Sequence, residues 1–324
     1  MDKQIRFHAT GGPDVLQLED LAVGEPGPGQ ARVRHSAIGV NFIDIYHRTG
    51  LYPLSLPSGL GSEAAGVVEA VGEGVTHVAV GDRVAYAGGP LGAYSSARVM
   101  PAQPLVKLPD AISDDTAACI MLQGMTVEYL TRRTYPVKPG QTVLWHAAAG
   151  GVGQIAAQWL SSLGVEVIGT VGSDEKVEVA RRLGCAHVIN YSREDVPARV
   201  RELTGGKGVP VVYDSVGKNT FQMSLDSLAP RGMFVSFGNA SGAVPAFEAL
   251  QLTQRGSLFF TRPKLADYIG TRAELEASAA ALFERIAAGA VKVSPSASYA
   301  LAEAASAHAD LEARRTIGSI ILRP

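Results

Sequence analysis

Two glycine-rich stretches in this chain have the spacing that lets a backbone wrap a diphosphate. GLGSEAAG, Gly59 to Gly66, fits the pattern G-x-G-x-x-G/A; AAAGGVG, Ala147 to Gly153, fits it with Ala148 in place of the first glycine. The pattern works only where a strand ends and a helix begins, because free amides and the positive end of the helix dipole there face the pyrophosphate. AAAGGVG meets that condition, with the apolar run TVLWHAA before it and QIAAQWLSSLG at helical spacing after it. Gly150 then lets the backbone approach the phosphates, and Gly153 lets the helix sit close on the sheet. Ala148 is tolerable at its position if its φ stays negative. GLGSEAAG follows Pro57 and Ser58 and runs into the alternating, valine-rich AAGVVEAVG. It carries the letters of the motif without the geometry.

The next strand, EVIGTV, ends in TVGSDEK, about twenty residues past the loop, where an acid would accept from a ribose 2′-hydroxyl and repel a 2′-phosphate. Gly172 occupies that place. Ser173 and Lys176 offer a hydroxyl and a cation to a phosphate. Asp174 and Glu175 suit the start of a helix, where they serve the cap and the dipole. The segment favours NADPH over NADH, although Lys176 reads equally well as an exposed helix lysine.

These loops need a scaffold of two kinds. Residues 1 to about 120 are β-rich, with valine-rich segments such as ARVRHSAIGV, AAGVVEAVG and DRVAYA separated by Gly/Pro turns. From Asp114 the helical pattern SDDTAACIMLQGMTVEYLTRR leads into alternating strands and helices: TVLWHAA, EVIGTV, HVINY, VPVVYDSV and RGMFVSFG are the strands. Continuous apolar strands alternating with helices predict an α/β unit with a parallel sheet covered on both faces. Beyond Pro263 two helical stretches, 274–289 and 301–315, precede a short apolar strand at Gly318 to Leu322. A strand so isolated needs a sheet to join, and the N-terminal β unit is the candidate.

The 324 residues suggest two domains. A net charge of −2, with basic and acidic residues well mixed, argues against nucleic acid or a membrane surface as a partner. The opening MDKQIRFHATGG has no apolar core of a signal peptide, and no apolar run approaches a membrane span. Only Cys119 and Cys185 are present, which excludes a disulfide framework and a multi-cysteine zinc lobe. The expectation is a cytoplasmic enzyme.

Over its full length the chain resembles the quinone oxidoreductase, zeta-crystallin-like, branch of the medium-chain dehydrogenase/reductase superfamily. The matching stretches are GVNFIDIYHRTGLYP, LPSGLGSEAAGVVEAVGEGV, VGDRVAY, GAYSS, HAAAGGVGQIAAQW, VYDSVG, RGMFVSFGNASG, GSLFFTRP and RRTIGS. The resemblance implies a GroES-like β-rich catalytic domain, residues 1–122 and 265–324, and a Rossmann domain with a doubly wound parallel sheet, residues 123–264. Zinc-dependent relatives have a cysteine at the position of Asn41 and, in a G-H-E motif, a histidine at that of Ser62. Asn and Ser are poor zinc ligands, so no metal is expected. Without a Lewis acid the substrate must already be electrophilic. The resemblance implies NADPH-dependent transfer of hydride, or of single electrons, to a quinone or similar conjugated carbonyl. An enone reductase or allylic alcohol dehydrogenase on the same scaffold is the alternative, and an NADPH-linked RNA-binding protein is a remote one.

Asn41 is expected to hydrogen-bond near the nicotinamide ribose or substrate, the alternative being a buried turn amide. Tyr46 and Tyr52 read as walls of the substrate pocket or as ordinary packing. Asp44 is expected to hold a loop, and His47 and His146 to be structural. The resemblance further implies cofactor contacts at Gly151, Val152, Gly172, Lys176 and Tyr191, at Ser215 and Val216, at Phe237, Gly238 and Asn239, at Phe260, Thr261 and Arg262, and at Arg314. Gln123 stands where close relatives often have lysine. Family habit implies a homodimer joined through the Rossmann sheets near GSLFF.

Overall fold

The computed structural model describes residues 1–324. The chain divides into two compact units: residues 1–125, 269–287 and 293–324, and residues 126–268 with 288–292.

The first unit is built on a seven-stranded sheet whose main path runs Ala297–Ala300, Ile320–Arg323, Gln30–Val40, Glu63–Val71, Arg83–Ala87, Val106–Lys107, with Ala97–Pro101 paired to Gln30–Val40. A smaller sheet orders Gln17–Leu21, Asp2–Phe7 and Ser58–Gly59. The closing strand joins the first sheet antiparallel, with Ile320 opposite Val40 and Leu322 opposite Ile38. Its three apolar residues are buried, which explains the apolar run Ile320–Leu322. GLGSEAAG does enter a strand: Glu63–Val71 pairs with Gln30–Val40 and Arg83–Ala87. Gly66 is required there, since a Cβ would lie 2.0 Å from Arg34 O.

The second unit holds a six-stranded, all-parallel sheet in the order His187–Asn190, Glu166–Val171, Thr142–Trp145, Val209–Asp214, Leu228–Ser236, Phe259–Thr261. Its inner residues, among them Leu144, Ile168, Ile189, Val212 and Phe234, form one core cluster. This is the Rossmann order, and its switch point falls between Thr142–Trp145 and Val209–Asp214, where such sheets place ligands. The strands are shorter at their C-terminal ends than the apolar runs suggest. TVLWHAA ends as a strand at Trp145 because Ala147 takes a left-handed φ of 55°. The strain sits one residue before Ala148, whose φ is not positive.

Candidate active site

The phosphate loop stands at the switch point. Gly150 caps the Gly151–Ser162 helix in an extended conformation without any side-chain cap. The first helical bond runs from Gln154 N–H to Gly150 O at 2.8 Å, so the amides of Gly151, Val152 and Gly153 lie outside the helical ladder and keep their donors. A Cβ on Gly153 would lie 2.3 Å from Ala147 O and 2.7 Å from the Ala148 Cα. Uncapped amides and a position that only glycine can fill fit a dinucleotide pyrophosphate.

A second feature marks the end of the Glu166–Val171 strand. Ser173 caps the Asp174–Arg182 helix, which carries Lys176 in its first turn. The Tyr191 hydroxyl lies 2.5 Å from where a Cβ on Gly172 would stand. A phenol thus lies against a bare glycine just before a helix N-terminus, at the strand end that in Rossmann folds faces the ribose.

The remaining Rossmann positions form two loops at strand ends. Asp214 Oδ1 accepts from the amides of Val216 and Gly217 at 2.7 and 3.0 Å, fixing the turn that includes Ser215. Gly238 packs on this turn, since a Cβ would lie 2.4 Å from Ser215 O. Arg262 donates to Ser236 Oγ and Gly238 O, both at 3.1 Å, tying Phe237–Asn239 to the end of the Phe259–Thr261 strand. Phe260 is different: its ring lies 5.3 Å from Phe234 and 5.2 Å from Phe247, so it packs against the core cluster while staying partly exposed. Arg314 belongs to the first unit and follows the Ala304–Glu312 helix at a left-handed φ of 58°.

His146 is buried beneath the phosphate loop. Its Nδ1 accepts from Thr170 Oγ1 at 2.8 Å, and its Nε2 meets Ser224 Oγ at 3.1 Å. Ser224 donates its hydroxyl to Asp214 Oδ2 at 2.8 Å, so His146 must be neutral with its proton on Nε2. Burial holds its pKa below the usual value. Serine, histidine and aspartate meet here, but the acid sits on the serine and all three are buried, which suits bracing of the loops and not a nucleophile.

In the first unit Asn41 is the buried start of the Phe42–Arg48 helix. Its Nδ2 donates to Glu63 Oε2 at 2.7 Å, and its Oδ1 accepts from Gln123 Nε2 at 3.0 Å. Ser319 Oγ donates to Gln123 Oε1 at 2.7 Å, and Leu122 N donates to Glu63 Oε1 at 2.7 Å. The chain of donors ends on a carboxyl that burial pushes up to about 8. These bonds use one of the two N–H groups of the Asn41 side chain and fix the orientation of its amide. Tyr46 and Tyr52 contact edge to face, with ring centroids 5.2 Å apart, and Tyr52 N donates to Tyr46 O at 3.0 Å. His47 lies 5.8 Å from the Tyr52 ring and is half-buried, which lowers its pKa.

Asp44 braces a helix start instead of a loop. Its Oδ2 accepts from Asn41 N and from Tyr94 OH, both at 2.9 Å. Tyr94 OH in turn meets His308 Nε2 at 3.0 Å, His308 Nδ1 meets Arg48 Nη1 at 3.1 Å, and Arg48 Nη2 donates to Glu312 at 2.7 Å. Burial raises Asp44 to about 7 and lowers His308 to about 3. No spacing in the sequence announces this chain, because His308 and Tyr94 are 214 residues apart. The structure contains no group of three or more His, Cys, Asp or Glu side chains able to hold a metal ion.

Comparison with known proteins agrees with this geometry. Residues 27–110 match the alcohol dehydrogenase GroES-like domain, and residues 151–284 match the zinc-binding dehydrogenase family. The chain is 56% identical to a quinone oxidoreductase of Pseudomonas aeruginosa, with both chains covered in full. It is 51% identical to a 2-haloacrylate reductase of a Burkholderia species, covering 98% of each. The crystal structure of an Escherichia coli quinone oxidoreductase complexed with NADPH superposes with a TM-score of 0.98 at 51% identity, covering 99% of this chain and 100% of that one. Full-length likeness in both sequence and structure shows that the chain belongs to the quinone oxidoreductase branch of the medium-chain dehydrogenase/reductase superfamily.

Proposed function

We propose that this protein is an NADPH-dependent reductase that passes reducing equivalents to quinones or similar conjugated carbonyls without zinc. The observation that carries the cofactor reading is the pairing of an uncapped glycine loop at Gly150–Gly153 with the Tyr191 hydroxyl over Gly172. The second unit would serve as the NADPH-binding domain, through Gly150–Gly153, Gly172, Ser173, Lys176, Tyr191, Ser215, Val216, Phe237–Asn239 and Phe260–Arg262. The first unit would bear the substrate.

Bound NADPH supplies a hydride donor at its nicotinamide C4. The chain's own task is then to orient and to exclude water. Asn41, with its amide fixed by Glu63 and Gln123, offers one donor to a ribose hydroxyl or a carbonyl oxygen. Tyr46 and Tyr52 supply aromatic surface for a flat conjugated ring. Asn41 and Ser62 replace the soft or imidazole ligands that a catalytic zinc needs, so polarisation by a metal is not available to unactivated alcohols.

A second acceptor class, α,β-unsaturated acids and ketones, is favoured by the 2-haloacrylate reductase among the relatives. Both classes accept hydride at a carbon already made electrophilic by conjugation. The exposed Phe259 on the sheet-edge strand Phe259–Thr261 supports a homodimer formed through that edge, and the reading includes a cytoplasmic location. The test is an NADPH-oxidation screen with quinones of increasing size run beside enones, 2-haloacrylate and simple aldehydes. Turnover of quinones or enones with NADPH is expected, and turnover confined to unconjugated aldehydes or alcohols would overturn the proposal.

A further inference from the structure

The turn that follows the Glu166–Val171 strand contains an acid that a 2′-phosphate should avoid. Asp174 opens the helix just past Gly172. An acid at this strand end accepts from a ribose 2′-hydroxyl and repels a phosphate. Here both oxygens of Asp174 are already engaged. Oδ1 accepts from Asn190 Nδ2 at 2.7 Å, and Oδ2 lies 2.7 Å from Arg193 Nη1.

Asn190 is buried, only 5% exposed, and it ties its own turn as well as Asp174. Its Oδ1 accepts from Ser192 N at 3.1 Å, and its own N–H donates to Glu194 Oε1 at 2.9 Å. Ser192 Oγ donates to Gly172 O at 3.0 Å. Residues 190–194 are thus stitched to residues 172–174, and Tyr191, between the stitches, is held with its hydroxyl against Gly172. The Asp174 and Arg193 side chains are 57% and 70% exposed, and a pair so open to solvent adds little to folding. Its consequence is electrostatic: the guanidinium offsets the charge of the acid that opens the helix two residues past Gly172, and that carboxylate anchors the loop of Tyr191.

We propose that the Asp174–Asn190–Arg193 clasp sets the preference of this protein for the 2′-phosphorylated dinucleotide. Asn190 and Arg193 are positioning residues that act through Asp174 and Tyr191. The inference rests on the reading of the chain as NADPH-dependent.

The test is titration of the full-length protein with NADPH and with NADH, following nucleotide fluorescence. The proteins are the wild type, Arg193→Ala, and the double variant Asp174→Asn with Arg193→Ala, each at low and high ionic strength. Arg193→Ala should lower the NADPH-over-NADH affinity ratio by about fivefold at low salt, as expected for an uncompensated charge within a Debye length of a phosphate dianion, and by less at high salt. The double variant should restore the wild-type ratio, because the carboxylate that Arg193 offsets is then gone. An unchanged ratio in Arg193→Ala overturns the inference. So does a ratio that stays low in the double variant, since Arg193 would then hold the phosphate directly. A wild-type protein that binds both nucleotides equally defeats the underlying NADPH reading, and is told apart because it shows without any substitution.

Discussion

The Asn41 amide nitrogen donates to the Glu63 carboxyl at 2.7 Å in a fully buried setting, with Leu122 N as the second donor. No cation is paired with that carboxyl, and burial pushes it up to about 8. The folded chain therefore keeps a proton that unfolded glutamate releases near its ordinary value of 4.5. Stability from this group is full below that value and is lost as pH rises toward and through about 8. Asp44, raised to about 7, contributes with the same sign. We expect Glu63→Gln to flatten the slope of stability between pH 5 and pH 9 by on the order of 1–3 kcal/mol. Urea melts at a series of pH values measure it, and a slope identical to wild type would refute the assignment.

Gly153→Ala should both destabilise the protein and abolish nucleotide binding. The added methyl would meet Ala147 O at 2.3 Å and Ala148 Cα at 2.7 Å, and backbone atoms cannot swing aside. A loss of roughly 1–3 kcal/mol is expected from overpacking at such a site, read as a lower Tm together with loss of NADPH-dependent stabilisation. A variant with wild-type Tm that still binds NADPH would show that the helix does not need this close approach.

Gly172→Ala should separate binding from folding. Its obstacle is the Tyr191 phenol, with the oxygen at 2.5 Å and the ring carbon at 3.0 Å, and a side chain can rotate away. We expect a stability within about 0.5 kcal/mol of wild type and a several-fold weaker NADPH affinity, with NADH affinity nearly unchanged. Equal loss for the two nucleotides, by calorimetry, would remove Tyr191 from the 2′-phosphate site.

Tyr94→Phe leaves the His308 Nε2–H without its acceptor and takes one donor from Asp44. Removing one partner of a buried hydrogen bond costs about 1–3 kcal/mol, so a lower denaturant midpoint is expected with an unchanged slope. Because Asp44 also holds the Asn41 amide, activity should fall together with stability. A fully stable variant would mean that the link between Asp44 and His308 carries no strain when cut.

Metal removal is expected to leave activity intact. Asn41 is committed to Glu63 and Gln123, and Ser62 offers only a hydroxyl. Prolonged treatment with a chelator should change neither Tm nor NADPH oxidation. Stoichiometric zinc in the purified active protein, by elemental analysis, would contradict this.

The local signals were enough for most elements and for the strand–turn–helix setting of AAAGGVG. A strand pattern before AAAGGVG and a helix pattern after it distinguish it from GLGSEAAG, because the motif depends on neighbours in sequence. That Asn41 and Ser62 are poor zinc ligands is a matter of residue type, which the sequence states directly. Other roles were not. The core packing of Phe260, the burial of His146 between Thr170 and Ser224, and the Asp44–Tyr94–His308–Arg48 chain join residues far apart in sequence, and hydrogen-bond partners at such separations have no periodic trace. The same holds for Asp174. By type and position it argues against a phosphate; only the fold brings Asn190 and Arg193 to its two oxygens. Sequence determined which groups are present and which glycine stretch stands between a strand and a helix. Tertiary structure decided which charges are cancelled, because cancellation depends on distances that only the packed chain sets.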